Sequence, residues 1–121
     1  MGMDIFGKHP TSPIGGYFRR NIWGWHPLAS LVEFFGGEIV THCRRWHTND
    51  GDGLDAADSH ALAVALENAL KDGRIAAYLW DREEHLASLP EDAHERLFSL
   101  SIEDVREFAA FLSACGGFEI L

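Results

Sequence analysis

A chain of 121 residues holds ten basic and nineteen acidic side chains, a formal net charge of −9. That length is one domain's worth, and 46% hydrophobic with 24% charged residues excludes a disordered or fibrous chain. No apolar run approaches the roughly 20 residues of a membrane span, no secretory leader is expected, and the acidic balance argues against general nucleic-acid binding, which needs a basic face.

Met3–Phe6 reads as a short strand, halted by the Pro- and Gly-containing turn region Lys8–Gly16. Tyr17–Trp25 is aromatic without clean alternation and is expected to be extended. Pro27 reads as the first residue of a helix, where its missing N–H costs nothing. Leu28, Leu31, Val32 and Phe35 follow at helical spacing, and Gly36-Gly37 ends the stripe. Glu38–Trp46 stays open: β-branched Ile39-Val40-Thr41 favour a strand, while the length also permits a short helix.

Asn49–Gly53 is a loop by composition. Asp55 is a natural N-cap, with Asp58 three residues later as an acidic capping-box partner. The helix is expected over Ala56–Asp72, with Leu62, Ala63, Leu66, Ala69 and Leu70 inward and Gly73 as its left-handed stop. Ile75–Trp80 and Arg82–Leu89 read as two further helical segments before Pro90. Ser101 with Asp104 forms a second capping box, opening a helix through Ala114 whose inner face is Val105, Phe108, Ala109 and Leu112. Gly116-Gly117 closes it, and Phe118–Leu121 reads as a strand. The expected fold class is α+β, a helix-dominated small single domain over 1–121, with a short sheet formed by N- and C-terminal strands.

Charge is uneven along the chain. Residues 1–49 hold five basic and three acidic residues and eight of the fourteen aromatics, whereas residues 50–121 hold five basic and sixteen acidic residues. Within the front, Tyr17–Pro27 gathers two arginines, an amide, two indoles and an imidazole. A guanidinium presents a planar fork to carboxylate or phosphate, and an indole stacks on planar groups. Arg19, Asn21, Trp23 and Trp25, joined by Arg44, are therefore the candidate binding residues for a small anionic or planar ligand.

A second constellation is His42–His47 running into Asp50 and Asp52. Cys43 and His47 stand four apart, on one face if the segment is helical, and thiolate, imidazole and carboxylate all suit zinc. Cys43, His47 and Asp50 are the candidate metal ligands, though no second tightly spaced Cys/His pair completes a structural site. The Asp50–Asp55 stretch lacks the spacing of a calcium loop, and no phosphate-loop, dinucleotide or nucleophile-elbow pattern occurs. Two cysteines, Cys43 and Cys115, fit a reduced, cytoplasmic setting better than a disulfide framework.

The opening Met1-Gly2-Met3-Asp4-Ile5-Phe6-Gly7, the stretch Tyr17-Phe18-Arg19 to Pro27-Leu28 and the closing Gly116-Gly117-Phe118-Glu119-Ile120 carry a likeness. They resemble a group of small uncharacterised bacterial proteins with an MGMD-aliphatic-aromatic-G start, a YFRxNxWxWxPL signature and a GGFEI end. Gly24 and His26 depart from it, standing where the group often has a tryptophan and an arginine, and Leu121 stands in place of a frequent cysteine. The resemblance implies domain limits and no catalytic role. The expected function is a non-catalytic binding or accessory module holding an anionic or planar ligand on the Arg/Trp segment. The alternative is a metal-binding domain or metal-dependent hydrolase using Cys43, His47 and Asp50. A homodimer pairing the Met3–Phe6 or Phe118–Leu121 edge is a further expectation.

Overall fold

The structure is a computed structural model and describes residues 2–121. Strands β1 (Gly2–Gly7), β2 (Tyr17–Asn21) and β3 (Phe118–Ile120) form one antiparallel sheet in the order β2–β1–β3. The fold is α+β and helix-dominated, with the sheet built from the N- and C-terminal strands and the first half of the Tyr17–Trp25 stretch. Ile5 lies opposite both Phe18 and Ile120. Because side chains alternate across a strand, Met3, Ile5, Phe18, Phe118 and Ile120 all enter the core, and Asp4, Tyr17 and Arg19 face out.

Neither strand expected to pair with a second copy has a free edge. β1 lies in the middle of the sheet. The outer edge of β3 is taken by the 51–54 loop, through Phe118 N–H to Leu54 O at 2.9 Å, Ile120 N–H to Asp52 O at 2.8 Å and Gly51 N–H to Ile120 O at 2.8 Å. Only glycine permits this approach at position 53, since a Cβ there would sit 1.8 Å from the Phe118 oxygen.

Helix α1 (Ile22–Phe35) starts five residues before the expected Pro27. Asn21 is its N-cap, accepting the Gly24 N–H at 3.0 Å, so the second half of the supposedly extended stretch is helical. Pro27 lies inside the helix, and its missing N–H leaves the Trp23 carbonyl without an intrahelical donor. The N–H of Ser99 fills that position at 3.0 Å. A partner 76 positions away thus makes an otherwise costly proline tolerable.

The ambiguous Glu38–Trp46 segment is neither strand nor α-helix. A 3-10 turn covers Gly37–His42, and Cys43 onward is irregular. Helix α2 (Ala56–Lys71) begins at the Asp55 cap, which accepts the Asp58 N–H at 2.8 Å. The expected reciprocal bond from Asp58 does not form, because its carboxylate binds His42 Nδ1 at 2.7 Å instead. Gly73, at φ +82°, turns the chain into α3 (Arg74–Ala87), one continuous helix rather than two segments, since no Gly or Pro interrupts it. Helix α4 (Ile102–Ala114) carries the complete Ser101/Asp104 capping box.

The core lies between the sheet, α1, α2 and α4. Trp25, Phe18, Phe108, Phe111 and Phe118 form its aromatic centre, and Leu62, Ala63, Leu66 and Ala69 supply the α2 face. Each large side chain buried there contributes about 1.5–3 kcal/mol. α3 is different: Ile75 is its one buried residue. Among the described residues, no helix is long and apolar enough to cross a membrane.

Candidate functional site

The Arg/Trp segment does not converge on one ligand. Arg19 and Arg20 are neighbours in β2, so strand alternation sends them to opposite faces of the sheet. Arg19 Nε binds Asp4 Oδ1 at 3.0 Å, and the Tyr17 hydroxyl donates to the same oxygen. Arg20 lies over the Phe18 ring at 4.5 Å, with Nε on Asp104 Oδ1 at 3.1 Å and an amino group on Glu107. Asn21 spends its side-chain oxygen on the α1 cap. Trp25 is fully buried, its indole N–H bonded to Trp46 O at 2.6 Å, and the Trp46 indole continues to Val40 O at 3.0 Å. It therefore offers no face to a ligand.

Arg44 stands apart from these. Its backbone N–H, with those of Arg45 and Gly53, donates to the Asp52 carboxylate. Burial pushes the Asp52 pKa upward, but the three N–H donors and Arg45 outweigh it and hold the carboxyl below its ordinary value. The Arg44 side chain is exposed and makes no ion pair among the described residues.

The proposed metal ligands are also separated. Cys43 and His47 lie in irregular chain, so their four-residue spacing confers no common face. Cys43 is buried at 1% exposure, and burial followed by the Asp52 charge pushes its thiol up to about 12, against the thiolate a metal needs. His47 is bonded to Glu33 and His26, and Asp50 faces Arg45 at 3.5 Å. No group of three or more His, Cys, Asp or Glu among the described residues is placed to hold a metal. The Cys43–His47–Asp50 centre is not assembled.

Trp23 leads to a different place. Half-buried, it packs against Phe98 at 5.0 Å and His94 at 5.6 Å between ring centres, and its carbonyl holds Ser99. These contacts pin residues 94–99 against α1. Between that segment and the second half of α3 lies a cleft of about 320 Å³, whose lining includes Arg82, Glu83, Leu86, Arg96, Phe98 and Leu100. The Arg82 side chain is only 16% exposed and donates to Phe98 O at 2.9 Å, while Glu83, its nearest carboxylate, stands at 3.5 Å and is largely exposed. Arg96 donates from Nε to Pro90 O at 2.8 Å and from Nη2 to Leu89 O at 2.7 Å, tying down the chain that leaves α3.

Both cleft guanidinium groups thus spend their short hydrogen bonds on neutral carbonyls. The recess carries two guanidinium groups against the one carboxylate of Glu83, in the half of the chain with sixteen acidic residues. Sequence reasoning missed it because Arg82 and Arg96 read as ordinary polar positions and no motif surrounds either. A second exposed feature is aromatic: Phe34 is 69% and Trp80 68% exposed, with Phe34 packed on Phe35 and Tyr78. Comparison with protein-family models, curated proteins and solved structures finds no match for the chain.

Proposed function

We propose that the protein is a binding or accessory module, non-catalytic at the α3 cleft, which holds a small anion with a planar or aliphatic body. The observation carrying this reading is the largely buried Arg82 guanidinium, whose short hydrogen bond goes to the Phe98 carbonyl while Glu83 meets it only at 3.5 Å. The single Glu83 contact is long and largely exposed, so a carboxylate or phosphate entering the cleft adds a charge-assisted fork that Glu83 does not supply. Leu86, Leu100 and Phe98 offer the apolar surface for the rest of the ligand. The volume suits a small molecule, at the lower end of the roughly 300–1,000 Å³ found for such sites. The Arg/Trp signature enters this reading indirectly, with Trp23 buttressing one wall.

Thermal-shift and calorimetric titration with acetate, hexanoate, benzoate and inorganic phosphate test the proposal. Benzoate and hexanoate are expected to stabilise the chain, by about 2.7 kcal/mol at a hundredfold excess over Kd. Arg82→Gln abolishes that response, and Arg19→Gln leaves it intact. No response at millimolar concentrations, or equal responses in wild type and Arg82→Gln, overturns the assignment.

A further inference from the structure

Away from the cleft, three polar side chains form a hydrogen-bonded row between α1 and the 43–55 loop. Glu33 Oε1 lies 2.7 Å from His47 Nε2, and His47 Nδ1 lies 2.8 Å from His26 Nδ1. The two imidazole centres are 5.0 Å apart, close to the largest separation this contact permits. The Nδ1 atoms therefore point at one another nearly head-on, and the rings do not overlap face to face.

Elementary chemistry places the protons. An ionised carboxylate only accepts, so the hydrogen between Glu33 and His47 is on Nε2. A neutral imidazole carries one N–H, which makes His47 Nδ1 an acceptor. The hydrogen between the rings then belongs to His26 Nδ1, and His26 Nε2 is left with a lone pair. That atom has no hydrogen-bond partner among the described residues. Burial, the larger cause, lowers the His26 pKa from its ordinary value and favours the neutral ring. Carboxylate, orienting imidazole and attacking atom in one row are the parts of an activated nucleophile.

We propose that Glu33, His47 and His26 form a nucleophilic site for small activated esters, with His26 Nε2 as the attacking atom. Nε2 forms a bond to the ester carbonyl carbon and the C–O bond to the leaving alcohol breaks. The resulting acyl-imidazolium gives its Nδ1 proton to His47, whose positive charge Glu33 balances, and the leaving alkoxide takes a proton from water. The hydroxide so formed adds to the acyl carbon, the bond from that carbon to His26 Nε2 breaks to release the carboxylic acid, and His47 returns the proton to His26 Nδ1. His26 is the catalytic residue. His47 and Glu33 are positioning residues, acting through its other nitrogen.

The full chain with p-nitrophenyl acetate at pH 7.5 tests this. Nitrophenolate release is expected to continue past one equivalent per chain, at least tenfold faster than from an equal concentration of seven free imidazoles. His26→Gln removes the excess rate, Glu33→Gln lowers it about tenfold, and His60→Gln on α2 leaves it unchanged. A rate no greater than that of the free imidazoles, or one His26→Gln does not alter, overturns the proposal. Nitrogen-15 NMR of the wild type guards against a folding failure in His26→Gln. It is expected to show the Nδ1–H tautomer at His26 and the Nε2–H tautomer at His47, and the opposite pair of tautomers overturns the proton row on which the chemistry rests.

Discussion

Two arginine pairs in this molecule invert the expectation their sequence surroundings create. Arg19 and Arg20 sit in the mildly basic, aromatic front of the chain, yet carboxylates from Asp4, Asp104 and Glu107 meet them. Arg82 and Arg96 sit in the strongly acidic rear, yet their short bonds go to carbonyl oxygens. Which groups meet a guanidinium at short range is therefore a property of the folded neighbourhood. Strand alternation divides the first pair across the sheet, while the return of residues 94–100 against α3 brings the second pair to one cleft.

The largest effect that would sharpen this contrast comes from Trp25, which belongs to the binding signature in sequence and to the core in space. Trp25→Ala is expected to cost about 3–5 kcal/mol, read by urea unfolding, because it leaves a cavity and strips the Trp46 carbonyl of its donor. A loss below about 1 kcal/mol would mean that the indole is not a core element. Arg20→Gln follows, with a loss of about 1 kcal/mol that shrinks in high salt, since its partners are partly exposed. If Arg20→Gln instead removed anion binding while Arg82→Gln did not, the comparison between the pairs would be reversed.

The smallest effect is a pH dependence of opposite sign at two histidines. A hydrogen bond to Asp58, then that residue's charge, raises His42 above 6.5, whereas burial and then His47 lower His26. The His42 contribution is fully present below pH 6.5 and disappears as pH rises through its raised pKa. The His26 contribution is present above pH 6.5 and is lost as pH falls through its lowered pKa. NMR titration is expected to place the His42 midpoint above 6.5 and that of His26 below it. In urea unfolding, His42→Asn removes the part of the stability that is gained on acidification. Coincident midpoints would contradict both environments.

Much of the architecture was legible because it rests on local rules. The Asp55 and Ser101 caps mark α2 and α4, apolar spacing identifies most of their inner faces, and the strands expected at Met3–Phe6 and Phe118–Leu121 are present as Gly2–Gly7 and Phe118–Ile120. The start of α1 was not, because two local signals compete there. Pro27 at a first-turn position satisfies the sequence, but Asn21 is the cap, and only Ser99 explains how a proline sits farther in. The one-helix character of α3 was equally obscured by reading Ile75–Trp80 and Arg82–Leu89 apart.

The candidate site was less legible still. Trp23 stands out in the sequence by residue type alone, and its packing partners Phe98 and His94 lie more than seventy positions away. Glu33 gave no signal as a partner of His47, because the irregular path of the 43–55 loop brings that ring to α1. The amino-acid sequence by itself determined the caps, the apolar stripes and the α+β class, all of which depend on neighbours within a turn or two. Tertiary structure alone decided which arginines are neutralised, which tryptophan is buried and which histidines share a proton. Those outcomes depend on desolvation and on charges a few ångströms away, and distant segments of the chain supply both.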